Sequence, residues 1–175
     1  MRNLLILFVF LTFLNSCDKD DNPKTALEQL PALTSTGANT GGCLVNGEAF
    51  LPKGNLPAPL FCQYTDQKHF SIAINEKISN TIRTVNVASL NETLEVNKVY
   101  QLKEYGENSK FGEYAVFSED FSDNLYQTNS IVKGELKITN HDYKKANISG
   151  TFWFDAVNDK GEKVEVREGR FDMEY

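Results

Sequence analysis

Only two histidines, one tryptophan and three cysteines occur among 175 residues, so neutral-pH acid–base or metal chemistry has little to be built from. His69 opens a predicted strand and His141 sits in the polar stretch Asn140-His141-Asp142-Tyr143, both ordinary surface positions for a histidine. There is no Gly-x-Ser-x-Gly elbow, no His-Glu-x-x-His pair and no phosphate-cradling glycine loop. No catalytic residue and no cofactor is expected, and the reading is that of a protein without enzymatic activity. Basic charge is also short: 18 Lys and Arg against 24 Asp and Glu give a formal net charge of −6. That excludes the electrostatic footprint of nucleic-acid binding and leaves no basic patch for anionic lipid.

Long apolar runs are missing too. The longest, Leu4 to Leu14, is about half of the roughly 20 residues that span a bilayer. What it does form is a secretory signal: Arg2, the apolar core, then Leu14-Asn15-Ser16-Cys17, small and polar residues before a cysteine. This is the bacterial lipoprotein pattern. Cleavage would leave residues 1–16 as the signal peptide and Cys17 as the lipidated first residue, and more than one acyl chain gives stable anchoring. The expected partner is therefore a membrane, reached through the lipid alone.

Asp18-Lys19-Asp20-Asp21 follows, and Lys19, Asp20 and Asp21 resemble the lysine-plus-two-acids signal that sends Bacteroidota lipoproteins to the outer face of the outer membrane. The bland alternative is a solvated linker start, and under enterobacterial sorting an aspartate after the cysteine would mean inner-membrane retention. On either reading the domain lies outside the cytoplasm. Residues 17–42 carry few bulky side chains and read as the lipidated cysteine plus a flexible tether, with a short helix around Thr25 to Gln29 capped by Thr25 and Glu28.

Residues 43–175 are the right size for one domain with a core of its own. Alternation of period two dominates, and helical periodicity is nearly absent. Asn46-Gly47 between two short apolar runs predicts a type I′ hairpin. Strands are expected at Leu60 to Tyr64, His69 to Asn75, Arg83 to Leu90, Lys98 to Lys103, Tyr114 to Ser118, Ser130 to Val132, Gly134 to Thr139, Ala146 to Phe154 and Lys163 to Arg167. Phe171 and Met173 continue the last strand beyond a bulge at Glu168-Gly169. Short turns and alternation imply an all-β fold, an antiparallel β-sandwich, with a lipocalin-like barrel as the alternative.

With Cys17 assigned to lipid, Cys43 and Cys62 remain as an even pair in an oxidising compartment and are a disulfide candidate, against two buried thiols acting as small apolar groups. Asp155, Asn158, Asp159 and Glu162 lack the spacing of a calcium loop and read as a hairpin turn. Glu119, Asp120 and Asp123 form an acidic cluster best read as a solvated face.

Aromatic residues are the feature that suggests a ligand. Tyr105, Phe111 and Tyr114 crowd a segment rich in Gly and Asn, and Trp153 points away from the face that holds Phe152 and Phe154. Such rings suit stacking against sugars, although long connections also use them as a second small core. The stretches Thr36-Gly-Ala-Asn-Thr40, Gly42-Cys-Leu-Val-Asn-Gly47, Ile148-Ser-Gly-Thr-Phe152 and Gly169-Arg-Phe-Asp172 resemble a family of Bacteroidota lipoproteins of unknown function. The resemblance implies location and a β-rich fold, and carries over no catalytic residue. Two functions follow as expectations: a surface-tethered binding module for a glycan or an envelope protein, or a structural component of an envelope complex without small ligand.

Overall fold

The Asn46-Gly47 pair makes the first turn, with φ of 50° and 85°, between β1 (Thr40–Val45) and β2 (Glu48–Phe50). The computed structural model describes residues 23–118 and 124–175. Nine further strands follow: β3 (Leu60–Thr65), β4 (His69–Ile78), β5 (Thr81–Ser89), β6 (Val99–Leu102), β7 (Lys110–Phe117), β8 (Asn124–Gln127), β9 (Gly134–Asp142), β10 (Asn147–Val157) and β11 (Lys163–Glu174). Every strand-to-strand pairing is antiparallel. Among the described residues the only helix is a single 3-10 turn, Leu27–Gln29, where Glu28 accepts from the Thr25 hydroxyl at 2.8 Å.

The strands form one sheet in the order β2-β1-β11-β10-β8-β7-β5-β4-β3, with β9 and β6 branching from β10. The branch arises because β10 shares one edge between two neighbours. Asn147 to Phe154 pair with β9, whereas Val157 alone pairs with Gln127 of β8. There the sheet turns over on itself without closing into a barrel. The faces that meet give the β-sandwich layout, with Phe70 of β4 packed on Phe171 of β11 (5.6 Å between rings) and Phe50 of β2 on Tyr114 of β7 (6.2 Å).

Period two decides which side chains fill the core. Phe70, Ile72 and Ile74, Val85 and Val87, Ile148, Phe152 and Phe154, and Val164, Val166, Phe171 and Met173 are all buried inside. Each contributes about 1.5–3 kcal/mol through burial. At Gly112 a Cβ would stand 2.6 Å from the Phe154 ring, so glycine is what lets β7 approach β10. Tyr114 also belongs to the inner face, its ring against Phe50 and Tyr126.

Three expectations need correction. The strand expected at Ser130 to Val132 is instead a bend, because the Asn129 side chain accepts from the N–H of Ile131 (2.8 Å) and of Val132 (2.9 Å) and so competes with sheet pairing. β8 lies earlier, at Asn124–Gln127. Cys43 and Cys62 are free thiols, on β1 and β3, strands that do not pair with each other. Finally, the chain before Cys43 is not all tether. Thr34 to Ala38 is bound to the outer surface of the domain through Asp172, and Leu30 is buried.

Candidate functional site

A groove of about 470 Å³ lies on the outer face of β6, β9, β10 and β11, and Trp153 lines it. The bulge at Glu168-Gly169 builds this site. Phe152 pairs with Gly169 and Phe154 with Val166, so Arg167 and Glu168 together oppose the single residue Trp153. Strict alternation would send one of those two charges into the core. The extra residue leaves both among the groove-lining side chains and returns Phe171 and Met173 to the interior. Glu168 takes φ of 54° to do so, and at Gly169 any Cβ would collide with the Phe152 ring.

Register lays the groove out in rows. Arg170, Thr151, Lys137 and Val99 are successive cross-strand partners, and Trp153, Glu135 and Gln101 form the adjacent row. Leu33, next to the strap held by Asp172, also lines the groove. Trp153 is half-buried and fixed from two sides. Its indole N–H donates to Glu135 Oε2 at 3.2 Å, and the Arg167 guanidinium lies 5.5 Å over the ring. Arg167 is itself held by the carbonyls of Phe154 (3.0 Å) and Val166 (2.9 Å) and by Asp155 Oδ1 (2.5 Å). Burial alone would raise the Asp155 carboxyl; its bonds with Arg167 and Lys163 outweigh that and hold it below the usual carboxylate range.

A second groove, about 530 Å³, adjoins on the far side of β6 and is lined by Val99, Tyr100, Gln101, Lys103, Glu104, Asn108, Ser109, Lys110 and Ser130. Val99 belongs to both grooves. Lys110 pairs with Glu92, and the ammonium groups of Lys98 and Lys110 sit 5.2 and 5.8 Å from the Tyr100 ring centroid. Tyr105 is 62% exposed and stands edge-on to buried Phe111 at 5.0 Å, a small outer cluster beside this groove.

The four rings named from sequence are therefore not one site. Trp153 lines the first groove, Tyr105 and Phe111 pack together, and Tyr114 is core. Sequence reasoning missed the partners of Trp153, Glu135 and Arg167, and the residues that line the groove with it, Thr151, Lys137 and Arg170. Their signal was present as the outward half of each alternation, but which strands become neighbours was not.

The histidines differ from expectation in one respect. His69 is exposed at the start of β4. His141, expected on the surface, is half-buried near the end of β9 in an aromatic cluster, with Nε2 3.0 Å from the Tyr175 hydroxyl and its ring 3.9 Å from Tyr143 and 4.8 Å from Tyr64. Burial holds its pKa below the ordinary histidine value. The Asn158 turn uses its own oxygens, with Oδ1 accepting from the N–H of Lys160 and Glu162. Among the described residues no group of three or more His, Cys, Asp or Glu could hold a metal ion, and no helix is long and apolar enough to cross a membrane. Cys17, Lys19, Asp20 and Asp21, and the acidic cluster Glu119, Asp120 and Asp123, lie outside the described residues.

An antiparallel, sandwich-like β domain carrying a preformed tryptophan groove on one outer face is the class that fold and site define. The chain belongs to the family described as "Domain of unknown function (DUF6252)", whose model matches residues 65–173. No curated protein and no solved structure matches it. The matched stretch omits β1, β2 and all of β3 except Thr65, and β2 and β3 are the two ends of the sheet path.

Proposed function

We propose that this chain is a lipoprotein anchored in the outer membrane and facing the cell exterior, whose β domain is a non-enzymatic module binding carbohydrate in the Trp153 groove. The observation that carries the binding claim is the fixed orientation of Trp153 by Glu135 and Arg167 in a groove where apolar surface and polar side chains alternate. One face of a pyranose ring is apolar C–H and matches an indole, while its in-plane hydroxyls need donors and acceptors. Lys137, Thr151, Glu168 and Arg170 supply both kinds. Pre-organisation means that binding spends little on ordering side chains. A glycan array probed with the chain from Pro23 onward should give signals that disappear with Trp153→Ala; an array silent for the native chain would overturn the reading.

The anchoring half rests on the Arg2 to Cys17 pattern and on the resemblance to Bacteroidota lipoproteins. A Cys17→Ser variant should lose incorporated fatty acid and its membrane association. Replacing Lys19, Asp20 and Asp21 by alanine should protect the protein from protease added to whole cells. Retained membrane association in the first variant, or equal digestion in the second, would refute the corresponding step.

One observation favours the alternative, a structural component of an envelope complex. On the outer face of the other layer, exposed Phe117 pairs with Ile82 and exposed Leu125 with Ala115, an apolar strip of the kind found at protein interfaces.

A further inference from the structure

We infer that the two grooves on either side of β6 are one continuous site, and that its ligand is a neutral, linear oligosaccharide several units long rather than a single sugar. The inference rests on the carbohydrate reading of the Trp153 groove and extends it. Continuity comes from β6, which among the described residues pairs only with β9 and stands at the end of the branch. Val99 lines both grooves, as does the row that joins them: Glu135 accepts from the indole of Trp153 through one carboxylate oxygen and from the Gln101 amide, at 3.0 Å, through the other. A single carboxylate thus fixes the platform in the first groove and a donor-bearing amide at the entry to the second.

Direction and length follow from register. The row Arg170, Thr151, Lys137, Val99 crosses four strands, and three intervals of about 4.8 Å make roughly 14 Å before the second groove begins. That already exceeds one pyranose ring. Leu33, just before the strap, and Trp153 both line this path across the strands and offer apolar surface along it.

Charge selects the kind of chain. Arg167 is paired with Asp155, Arg170 with Glu168 and Lys110 with Glu92, so the walls present both signs close together. A polyanion would meet Glu104, Glu135 and Glu168 along its length, and a polycation would meet Lys103, Lys137 and Arg170. A neutral polyol meets no such repulsion and can use every donor and acceptor on the walls.

The test is calorimetric titration of the chain from Pro23 onward with neutral α- and β-linked glucan disaccharides and hexasaccharides, beside a polyuronate of equal length. Ser130 is exposed and lines the second groove but not the first, so Ser130→Trp puts its bulk in the second groove. In one linkage series the hexasaccharide should bind at least about tenfold more tightly than the disaccharide, nearly independently of salt. Ser130→Trp should erase that gain, weakening the hexasaccharide far more than the disaccharide, and Trp153→Ala should abolish both. Equal affinity for the two lengths, or a hexasaccharide advantage that survives Ser130→Trp, would overturn the continuous site while leaving carbohydrate binding intact. Tighter, salt-sensitive binding of the polyuronate would overturn the neutral ligand. Absence of binding to every glucan and to the polyuronate would overturn this inference; the glycan array decides separately whether the carbohydrate reading falls with it.

Discussion

The carboxylate of Asp172 accepts the backbone N–H of Thr36 at 2.9 Å, across a separation of 136 residues. Around that bond the same carboxylate takes the N–H of Gly37 (2.9 Å) and Ala38 (3.2 Å) and the hydroxyls of Thr34 and Ser149 (2.7 Å each). Asp172 is only 1% exposed. Three of the sequence stretches that carry the family resemblance, around Thr36, Ser149 and Asp172, therefore meet at one buried charge. Its chemistry explains why a segment without bulky apolar residues is nonetheless held: the strap is fixed by charge-assisted hydrogen bonds instead of apolar burial.

Removing that acceptor should be costly. Asp172→Ala is expected to lower stability by about 3 kcal/mol or more, since several donors lose a charged partner at once. A chain beginning at Thr40, which lacks the strap, should be destabilised as well, and adding Asp172→Ala to it should cost much less than in the longer chain. Denaturant melts at equal slope measure all three. Simple additivity would show that the strap is not held through Asp172.

Acid should act on the same contact. Burial on its own would raise the Asp172 carboxyl, but hydrogen bonds from Thr34, Ser149, Thr36 and Gly37 dominate and hold it well below the ordinary carboxylate range. A carboxyl depressed in the folded state contributes its full stability above the unfolded value, about 3.9, and loses it as the pH falls from there toward the folded value. The native chain should therefore lose stability below about pH 5 more steeply than an Asp172→Asn chain. Melts across pH 2 to 7, compared as slopes, would expose the opposite ordering if another group controls the acid limb.

Much of the fold was legible because inward and outward residues alternate cleanly. Ile148, Phe152 and Phe154 inside, with Trp153 outside, needed only a period of two, and the bulge needed only the Glu168-Gly169 pair between two alternating runs. The groove was not legible, because it depends on β6 pairing with β9 out of chain order, which brings Val99 and Gln101 beside Lys137 and Glu135. Asp172 was equally hidden. An aspartate between Phe171 and Met173 reads as a solvent-facing position, and what covers it is a segment whose composition suggests a tether.

The cysteines carry a third expectation. Desolvation pushes the Cys62 thiol up to about 12 and that of buried Cys43 up as well, so neither holds a reactive thiolate in the folded protein. In the domain purified without reductant and then denatured, both should react with iodoacetamide; before denaturation both should react slowly. A mass showing one bridge and no free thiol would mean that Cys43 and Cys62 can be brought together after all.

Phe152 and Trp153 are neighbours in sequence and face opposite ways, so their truncations should separate core from site. Phe152 is 3% exposed, and its ring stacks near Phe154 and Phe171 while filling the space that Gly169 leaves open. Phe152→Ala should cost about 3–5 kcal/mol, the loss of burial plus a residual cavity. Trp153 stands in the outer groove, where truncation removes the contact with Arg167 and the bond to Glu135 but opens no hole in the core. Trp153→Ala should cost about 1–2 kcal/mol, with the Arg167 cation–π contact as the main loss. Gly169→Ala should behave like a core variant, because its new Cβ would drive into the Phe152 ring and undo the bulge that sets the groove. Chemical denaturation of the three variants gives the ordering directly. Equal losses for Phe152→Ala and Trp153→Ala would make Trp153 a core residue, and its part in a binding groove would fall with that result.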